Sequence, residues 1–594
     1  MSEQLQHKRH TLAHLLAAAT LKLYPDAKPT IGPATDTGFY YDIYFPEPPS
    51  EKDLKKIEKQ MRKMLSSWTE MVGEVVTPEK AREFYADNKY KQELIDEIVA
   101  KEEDITFYSA GSEKTLFTDL CKGGHAENPA EEIEGRAFKL TTLSGVYWRA
   151  DESNDQLTRI YGLAFDTKDD LDAHLTLLEE AKKRDHRKIG KELDLFTFSD
   201  LVGPGLPLWT PKGTLMRELI IDKIQSLQAA YGWERVVIPH ITKKDLYEKS
   251  GHWDKFGEEL FKVQGQSDQE FVLKPMNCPH HAQIYKSQPR SYRDLPQRYM
   301  ELTMQYRDEQ AGELLGLSRV RSISIDDGHV FCKEDDIEQE IINIIDVIKK
   351  FYTSLNLFTE DNYWVSVSVR DSETPEKYIG GDKLWSQAES ILEGICKDQN
   401  LPYKVMPGEA AFYGPKIDFM FKDALGREWQ LATAQLDFVQ PERFELEYTD
   451  SEGEKKRPVM IHRAIAGSME RFLSVIIEHF AGAFPLWLSP VQMTIIPVTS
   501  DFDDYGREVR QKLQREGFRV ELSNESETLG KRVRSAQKAK IPYMLVVGEK
   551  ETKTGGVGVR SRELGDEGEI LLDEFIAHAK EVLINPQGDA TDKK

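Results

Sequence analysis

Apolar residues recur at Leu171, Leu175 and Leu178, the i, i+4, i+7 stripe of an amphipathic helix that turns basic after Ala181 and is expected to end near Gly190. An earlier run, Leu12-Ala-His-Leu-Leu-Ala-Ala-Ala behind His7-Lys-Arg-His10, mimics the basic and apolar regions of a signal peptide. His14 inside the run and Lys22 after it make an amphipathic helix the better reading. Asp200-Leu-Val-Gly-Pro-Gly-Leu-Pro-Leu-Trp-Thr-Pro-Lys-Gly is a turn-rich entry to a long helix, and Trp233-Glu-Arg-Val-Val-Ile-Pro239 reads as a strand closed by proline. Past Pro485-Leu-Trp-Leu-Ser-Pro490 the pattern alternates. Gln492–Val498, Phe518–Leu522 and Tyr543–Gly548 read as strands, and Tyr505, Val509 and Leu513 stripe a helix that Gly517 caps. Strands alternating with helices predict a parallel-type α/β sheet there.

The chain has 594 residues, enough for roughly three or four domains. No apolar run approaches the ~18 residues a membrane span needs. Four cysteines, Cys121, Cys278, Cys332 and Cys396, make a disulfide framework a poor expectation and fit a reducing, cytoplasmic setting. A formal charge of −23 argues against nucleic-acid binding by bulk charge. It hides two basic stretches, Ala181–Lys191 and Lys531–Lys540, each of which alone is more often a solvated helix face. No Gly-x-Gly-x-x-Gly fingerprint follows a strand and opens a helix, which excludes a dinucleotide fold of that kind.

Three residues in distinctive frames carry candidate chemistry: Cys278 in Lys274-Pro-Met-Asn-Cys-Pro, His329 in Asp326-Asp-Gly-His, and His462 in Pro458-Val-Met-Ile-His-Arg463. A Cys/His/His set is a zinc site with its fourth position open, although no short spacing rule covers ligands this far apart, and Cys278 alone could be a small buried thiol. Between them run Tyr306-Arg307-Asp308-Glu309, Arg319 and Arg321, and after them Gly467-Ser-Met-Glu-Arg471-Phe472. Arginine's planar, permanently charged fork suits phosphate. Near the start, His10-Thr-Leu-Ala-His14 places two imidazoles on one helix face, and Asp119-Leu-Cys121-Lys-Gly-Gly-His125 adds a carboxylate, a thiol and a third imidazole. Four His/Cys groups could equally form a closed zinc site.

These motifs resemble the class II aminoacyl-tRNA synthetases, with Arg307 and Glu309 matching the second class signature and Arg471 the third. The zinc triad narrows the likeness to the threonyl-tRNA synthetase family, from about His7 to about Leu583. The resemblance implies that Arg307 grips the ATP α-phosphate, Glu309 reads the adenine edge, Arg471 holds the γ-phosphate, and Arg319 belongs to the same site. Zn²⁺ on Cys278, His329 and His462 reads threonine's amino group and hydroxyl, with Asp327 accepting the hydroxyl. The metal has a physical reason: an apolar pocket cannot strongly reject valine, and a site that binds the hydroxyl can. Met276, Tyr413, Lys416, Gln430, Thr433 and Gln435 match the pocket lining, His252 the proton acceptor for transfer to the ribose, and Mg²⁺ comes with ATP. Serine lacks only a methyl, worth about 1–3 kcal/mol, so a hydrolytic site for mischarged Ser-tRNA(Thr) is expected. The resemblance assigns it to His10 and Lys91 as water activators, with His14, Asp119, Cys121 and His125 positioning, and without a metal. Arg534, Glu551 and Arg560 fall on positions that read anticodon bases.

The implied architecture is a multidomain α+β chain: an editing domain at 1–165, a basic linker helix at 166–193, a class II antiparallel-sheet catalytic domain flanked by helices at 194–488, and an α/β anticodon-binding domain at 489–594. Its expected partners are ATP, L-threonine, tRNA(Thr) and a second copy of the chain. The family's small ubiquitin-like domain is not expected, since editing-type sequence begins almost at Met1. Ile325 and His280 depart from the common residues, and an insertion falls near Asn524. A tRNA-sensing relative would be expected to lose a motif arginine or a zinc ligand, a free-standing editing hydrolase would not need the long stretch after Leu163, and the intact triad weakens seryl or prolyl charging.

Overall fold

A computed structural model describes residues 2–112, 115–266, 269–523 and 526–584, so the expected insertion at Asn524 lies outside the described residues. The chain forms two compact units, Met1–Glu179 and Glu180–Lys594.

In the first unit, Ser2 caps the helix Glu3–Leu23 by accepting the Leu5 N–H at 3.3 Å. This helix is not amphipathic, as the sequence had implied: every residue from Thr11 to Thr20 is buried. Ile57 and Met61 of the helix Leu54–Leu65, and Phe39, Tyr41 and Ile43 of the strand Gly38–Tyr44, share its core and leave the Thr11–Thr20 stretch no solvent face. That strand belongs to an antiparallel sheet ordered Lys28–Pro29, Gly38–Tyr44, Gln156–Ala164, Phe138–Tyr147. A smaller antiparallel sheet joins Met71–Val76, Ile105–Ala110 and Phe117–Leu120.

The single basic helix expected up to Gly190 is two helices, Lys168–Arg184 and His186–Glu192. Asp185, with φ −49° and ψ 119°, breaks the first, and its carboxylate caps the second by accepting the Arg187 N–H at 2.8 Å. Arg184 donates inward to the His479 carbonyl at 2.9 Å and His186 is buried, while Lys182, Lys183, Arg187, Lys188 and Lys191 stay exposed.

The second unit is built on an eight-stranded sheet ordered Glu234–Arg235, Gln297–Tyr306, Ser322–Cys332, Val459–Ala464, Glu428–Asp437, Lys416–Lys422, Tyr363–Val369, Tyr403–Pro407. Its interior pairings are antiparallel and the two edge pairings parallel. The long strand expected over 233–239 shrinks to Glu234–Arg235, because the Ile238 N–H turns to the Glu301 carboxylate at 3.1 Å and Pro239 has no N–H to offer. A second sheet, ordered Val520–Leu522, Met493–Pro497, Tyr543–Val547, Gly556–Ser561, Gly565–Leu571, is parallel across its first three strands. The pattern did not announce the antiparallel hairpin that completes it. Gly517 takes φ +90° just past the helix Asp503–Arg515, the left-handed position that ends a helix without a Cβ penalty.

Candidate active site

Residues directly opposed on neighbouring strands share a face of the sheet. The register Tyr299↔His329↔His462↔Gln435↔Lys416 therefore runs one row of side chains across five strands, with Glu301↔Asp327, Thr303↔Ile325 and Thr433↔Asp418 beside it. Cys278 reaches this face from the first turn of the helix Cys278–Lys286.

The ligand atoms of Cys278, His329 and His462 lie within 4.8 Å of one another. His462 donates Nε2–H to Asp437 Oδ2 at 2.7 Å, which leaves Nδ1 as a lone pair 3.1 Å from His329 Nε2. His329 Nδ1 is 2.7 Å from His281 Nδ1, and His281 Nε2 is 3.8 Å from Glu301. With the His329 proton on Nδ1, two ring lone pairs and the Cys278 sulfur converge, and an N₂S donor set of this kind fits Zn²⁺ with an open position. Asp327 borders the opening, accepting from Asn277 Nδ2 at 2.9 Å and lying 3.8 Å from His329 Nε2. His252 is buried 3.9 Å from Cys278 Sγ, its Nδ1 2.7 Å from Ser250 Oγ, and burial pulls its pKa down to about 4. Met276 packs in the same small cluster as Cys278.

Next to the triad is a cavity of about 310 Å³ lined by Arg307, Glu309, Arg319, Arg471, Gln430 and Thr433, with Ile325 in its wall. Arg319 donates to Glu309 Oε2 from Nε at 2.7 Å and from Nη2 at 2.6 Å, while Arg321 holds the Glu309 carbonyl at 3.0 and 2.9 Å. Burial, then Arg307 and Arg319, holds the Arg471 guanidinium below its ordinary pKa. Like charges gathered against one paired carboxylate form an anion seat. Farther along the sheet, Tyr413 donates to Gln435 at 2.7 Å, Gln435 to Thr433 at 3.2 Å, Thr433 to Asp418 at 2.6 Å, and Lys416 to Asp418 at 2.5 Å. Tyr413, Gln435, Thr433 and Lys416 are thus joined through Asp418 in one network, which, among the described residues, Met276 and Gln430 do not enter. His280 lies on the Cys278 helix, buried, without a hydrogen-bond partner for either ring nitrogen among the described residues.

The other cluster lies wholly in the first unit, at a cavity of about 500 Å³ lined by His10, His14, Lys91, Asp119 and Cys121. His10, His14, Cys121 and His125 bring their ligand atoms within 4.8 Å. The Cys121 sulfur lies 3.5 Å from His10 Nε2 and 3.2 Å from His125 Nε2, and His10 Nδ1 lies 3.2 Å from the Gly124 carbonyl. Asp119 is an anchor: Lys91 Nζ lies 2.6 Å from Oδ1, Tyr85 donates to Oδ1 at 2.9 Å, Tyr41 donates to Oδ2, and His14 Nδ1 is 3.6 Å away. Burial would raise its pKa, but Lys91 and then His14 outweigh it and hold the carboxyl below its ordinary value. Burial also holds His10 below its usual value, His14 down to about 3 and His125 down to about 2.

The anticodon-type residues are not joined to each other by a hydrogen bond or ion pair among the described residues. Arg534 is exposed on the helix Leu529–Lys538, Glu551 caps its own helix by accepting the Gly548 N–H at 2.9 Å, and Arg560 reaches Asp566 at 3.3 Å. Sequence reasoning missed His281, Asp418, Asp437, Tyr41 and Tyr85. For Asp418 and Asp437 a signal existed, since they sit two residues from Lys416 and Gln435 on strands and so share their face.

An antiparallel sheet carrying an arginine-lined anion seat on one face defines a class II aminoacyl-tRNA synthetase. Residues 261–480 match the family described as tRNA synthetase class II core domain (G, H, P, S and T), and residues 492–582 match the anticodon binding domain family. A threonine–tRNA ligase of Gloeobacter violaceus is 48% identical over 98% of this chain and 93% of its own length, and one of Synechocystis is 45% identical over 98% and 96%. A solved structure described as the RNA binding domain of threonyl-tRNA synthetase from Cryptosporidium parvum superposes with a TM-score of 0.63 at 36% identity, covering 67% of this chain and 98% of that one. The chain belongs to the threonine–tRNA ligase family.

Proposed function

We propose that the chain activates L-threonine with ATP, transfers it from the adenylate to tRNA(Thr), and hydrolyses mischarged Ser-tRNA(Thr) in its first unit. The observation that carries this reading is one sheet face holding the Cys278/His329/His462 donor set beside the cavity of Arg307, Arg319 and Arg471. Arg307 and Arg471 clamp the phosphates, neutralising charge where it develops, and Mg²⁺ accompanies ATP. Cys278, His329 and His462 would hold Zn²⁺, which would supply a Lewis acid for the amino acid's polar groups. Asp327 accepts a hydrogen bond from the hydroxyl and so separates threonine from valine, while the Tyr413–Gln435–Thr433–Asp418–Lys416 network holds the rest of the amino acid. His252, kept neutral by burial, takes the ribose proton during transfer.

In the first unit His10 is the water activator. Burial keeps it neutral, and its Nδ1 beside the Gly124 carbonyl leaves Nε2 as a base. Lys91, ion-paired to Asp119 with both side chains at 2% exposure, shares the water-activating role, and Asp119, His14, Cys121 and His125 position the ester and the water. The reading takes domains at 1–165, 194–488 and 489–594 joined by the 166–193 linker, with Arg534, Glu551 and Arg560 reading the anticodon. Leu201 is fully exposed and Val237 is 88% exposed, apolar side chains that a second copy of the chain would cover in a homodimer. No described helix is long and apolar enough to cross a membrane, and a cytoplasmic site of action accords with the reduced cysteines.

ATP–pyrophosphate exchange with threonine, serine and valine, run beside a zinc determination, tests the reading. Strong exchange with threonine, weaker with serine and none with valine at one zinc per chain is expected; no exchange with any of them overturns it.

A further inference from the structure

We infer that His186 is a positioning residue of the adenylation site, holding the turn that carries Arg319; the inference rests on the activity proposed above. His186 is 3% exposed. Its Nε2 accepts the Leu317 backbone N–H at 3.0 Å, which requires a lone pair there, and its Nδ1–H donates to Glu478 Oε1 at 2.7 Å. The His186 backbone N–H also reaches Glu478 Oε1, at 3.1 Å. One side chain therefore ties the start of the helix His186–Glu192 to the end of the helix Met469–His479 and to the loop between Glu309 and Arg321.

The loop is shaped for this contact. Gly316 takes φ +51°, and a Cβ there would stand 2.3 Å from His186 Nε2. Leu317 is fully buried, and the Ser318 N–H closes a turn on the Leu315 carbonyl at 2.9 Å. The far side of the turn is held by the phosphate-seat helix itself: Arg471 Nε donates to the Ser318 carbonyl at 3.3 Å, and the Ser318 and Ser474 hydroxyls lie 3.0 Å apart. Arg319 follows directly and pairs with Glu309. Without the His186 acceptor, the Leu317 amide is a buried donor with no partner, and the turn that aims Arg319 is held from one side only.

The ring's two bonds can be separated by substitution, because a Gln amide oxygen reaches the place of Nε2 and an Asn amide nitrogen the place of Nδ1. His186→Asn keeps the bond to Glu478 and loses the one to Leu317; His186→Gln keeps the acceptor for Leu317. In pyrophosphate exchange, His186→Asn is expected to raise the KM for ATP roughly five- to tenfold, the value of one buried hydrogen bond, with the KM for threonine moving less than about twofold. His186→Gln is expected to recover the ATP KM. Equal ATP KM values in the two variants, or a matching rise in the threonine KM, overturn the inference. Hydrogen exchange on the unsubstituted chain reads the tether without activity and without a variant that must fold. The Leu317 amide must be among the slowest of residues 310–321, and exchange as fast as at Glu313 overturns the tether even where the synthetase reading stands. Absent pyrophosphate exchange beside a protected Leu317 amide would instead sink the synthetase reading and, with it, the link to ATP.

Discussion

Asp437→Asn separates a metal-binding triad from three residues that merely pack together. Asp437 is fully buried, and its two oxygens have different duties: Oδ1 accepts the backbone N–H groups of Val439 and Gln440, both at 2.8 Å, and Oδ2 accepts His462 Nε2–H at 2.7 Å. An asparagine must leave its oxygen on the two backbone donors, so its NH₂ faces His462. The imidazole then has to move its proton to Nδ1, which places that proton where the lone pair meets His329 and Cys278. Binding a cation requires undoing the switch, at the loss of a hydrogen bond to a charged acceptor worth about 1.5–3 kcal/mol. At about 1.4 kcal/mol per factor of ten, zinc affinity falls roughly 10- to 150-fold, in line with the ~10–100-fold typical of partners that orient a ligand. Competition with a chromophoric chelator measures the affinity, and thermal unfolding of the metal-stripped chain checks that the fold is kept. A folded Asp437→Asn variant that holds zinc within twofold of the unsubstituted chain would refute the assignment of His462 Nδ1 as a ligand atom.

Lys91→Met strands the Asp119 carboxylate in the first unit and should destabilise it by about 3–5 kcal/mol in denaturant titration; Asp119→Asn in the same chain should restore part of the loss, and no restoration would contradict the pairing. The pH dependence of that unit has a definite sign. His14 is held near 3 and His125 near 2, below the ordinary value of about 6.5, so as the pH falls past 6.5 the unfolded chain takes up protons the folded one refuses. Stability drops from there until the folded values are reached, at about 2.7 kcal/mol per pH unit for two protons; His14→Asn should remove about half of that slope in metal-free protein, and an unchanged slope would show that His14 is not buried neutral. The depressed Asp119 carboxyl works over a lower window, its contribution present above the ordinary value of about 3.9 and lost only as the pH falls through its folded value. Gly328→Ala would set a Cβ 2.7 Å from Arg463 Nε and push that guanidinium off Asp326, destabilising the second unit by about 2–4 kcal/mol; an unshifted melting temperature would show that the sheet gives way instead.

The Arg463–Asp326 pair also explains which parts of the site were legible in the sequence. Asp326 and Asp327 are neighbours, as are His462 and Arg463, and a strand sends neighbours to opposite faces. Behind the sheet, Arg463 Nη1 binds Asp326 at 2.5 Å, its Nη2 takes Gln228 at 3.0 Å, and Asp326 Oδ2 collects the N–H groups of Ile465 and Ala466. In front, Asp327 and His462 face the substrate side. The frames Asp326-Asp-Gly-His329 and His462-Arg463 are dense because each strand builds a lock on one face and a site on the other, with Gly328 leaving room for Arg463 between them. Residues in a short frame could be picked out through the likeness of their motifs to the class II synthetases, and the strand–helix alternation past Pro490 could be read from the pattern itself. His281, Tyr41, Tyr85 and His186 could not. Each is defined by a partner far along the chain, Tyr41 by Asp119 and His186 by Leu317 and Glu478, and neither spacing nor composition records which distant polar atom a buried side chain must satisfy. The N-terminal helix misled for the same reason, since its burial on all sides comes from two elements that pack on it from elsewhere in the chain.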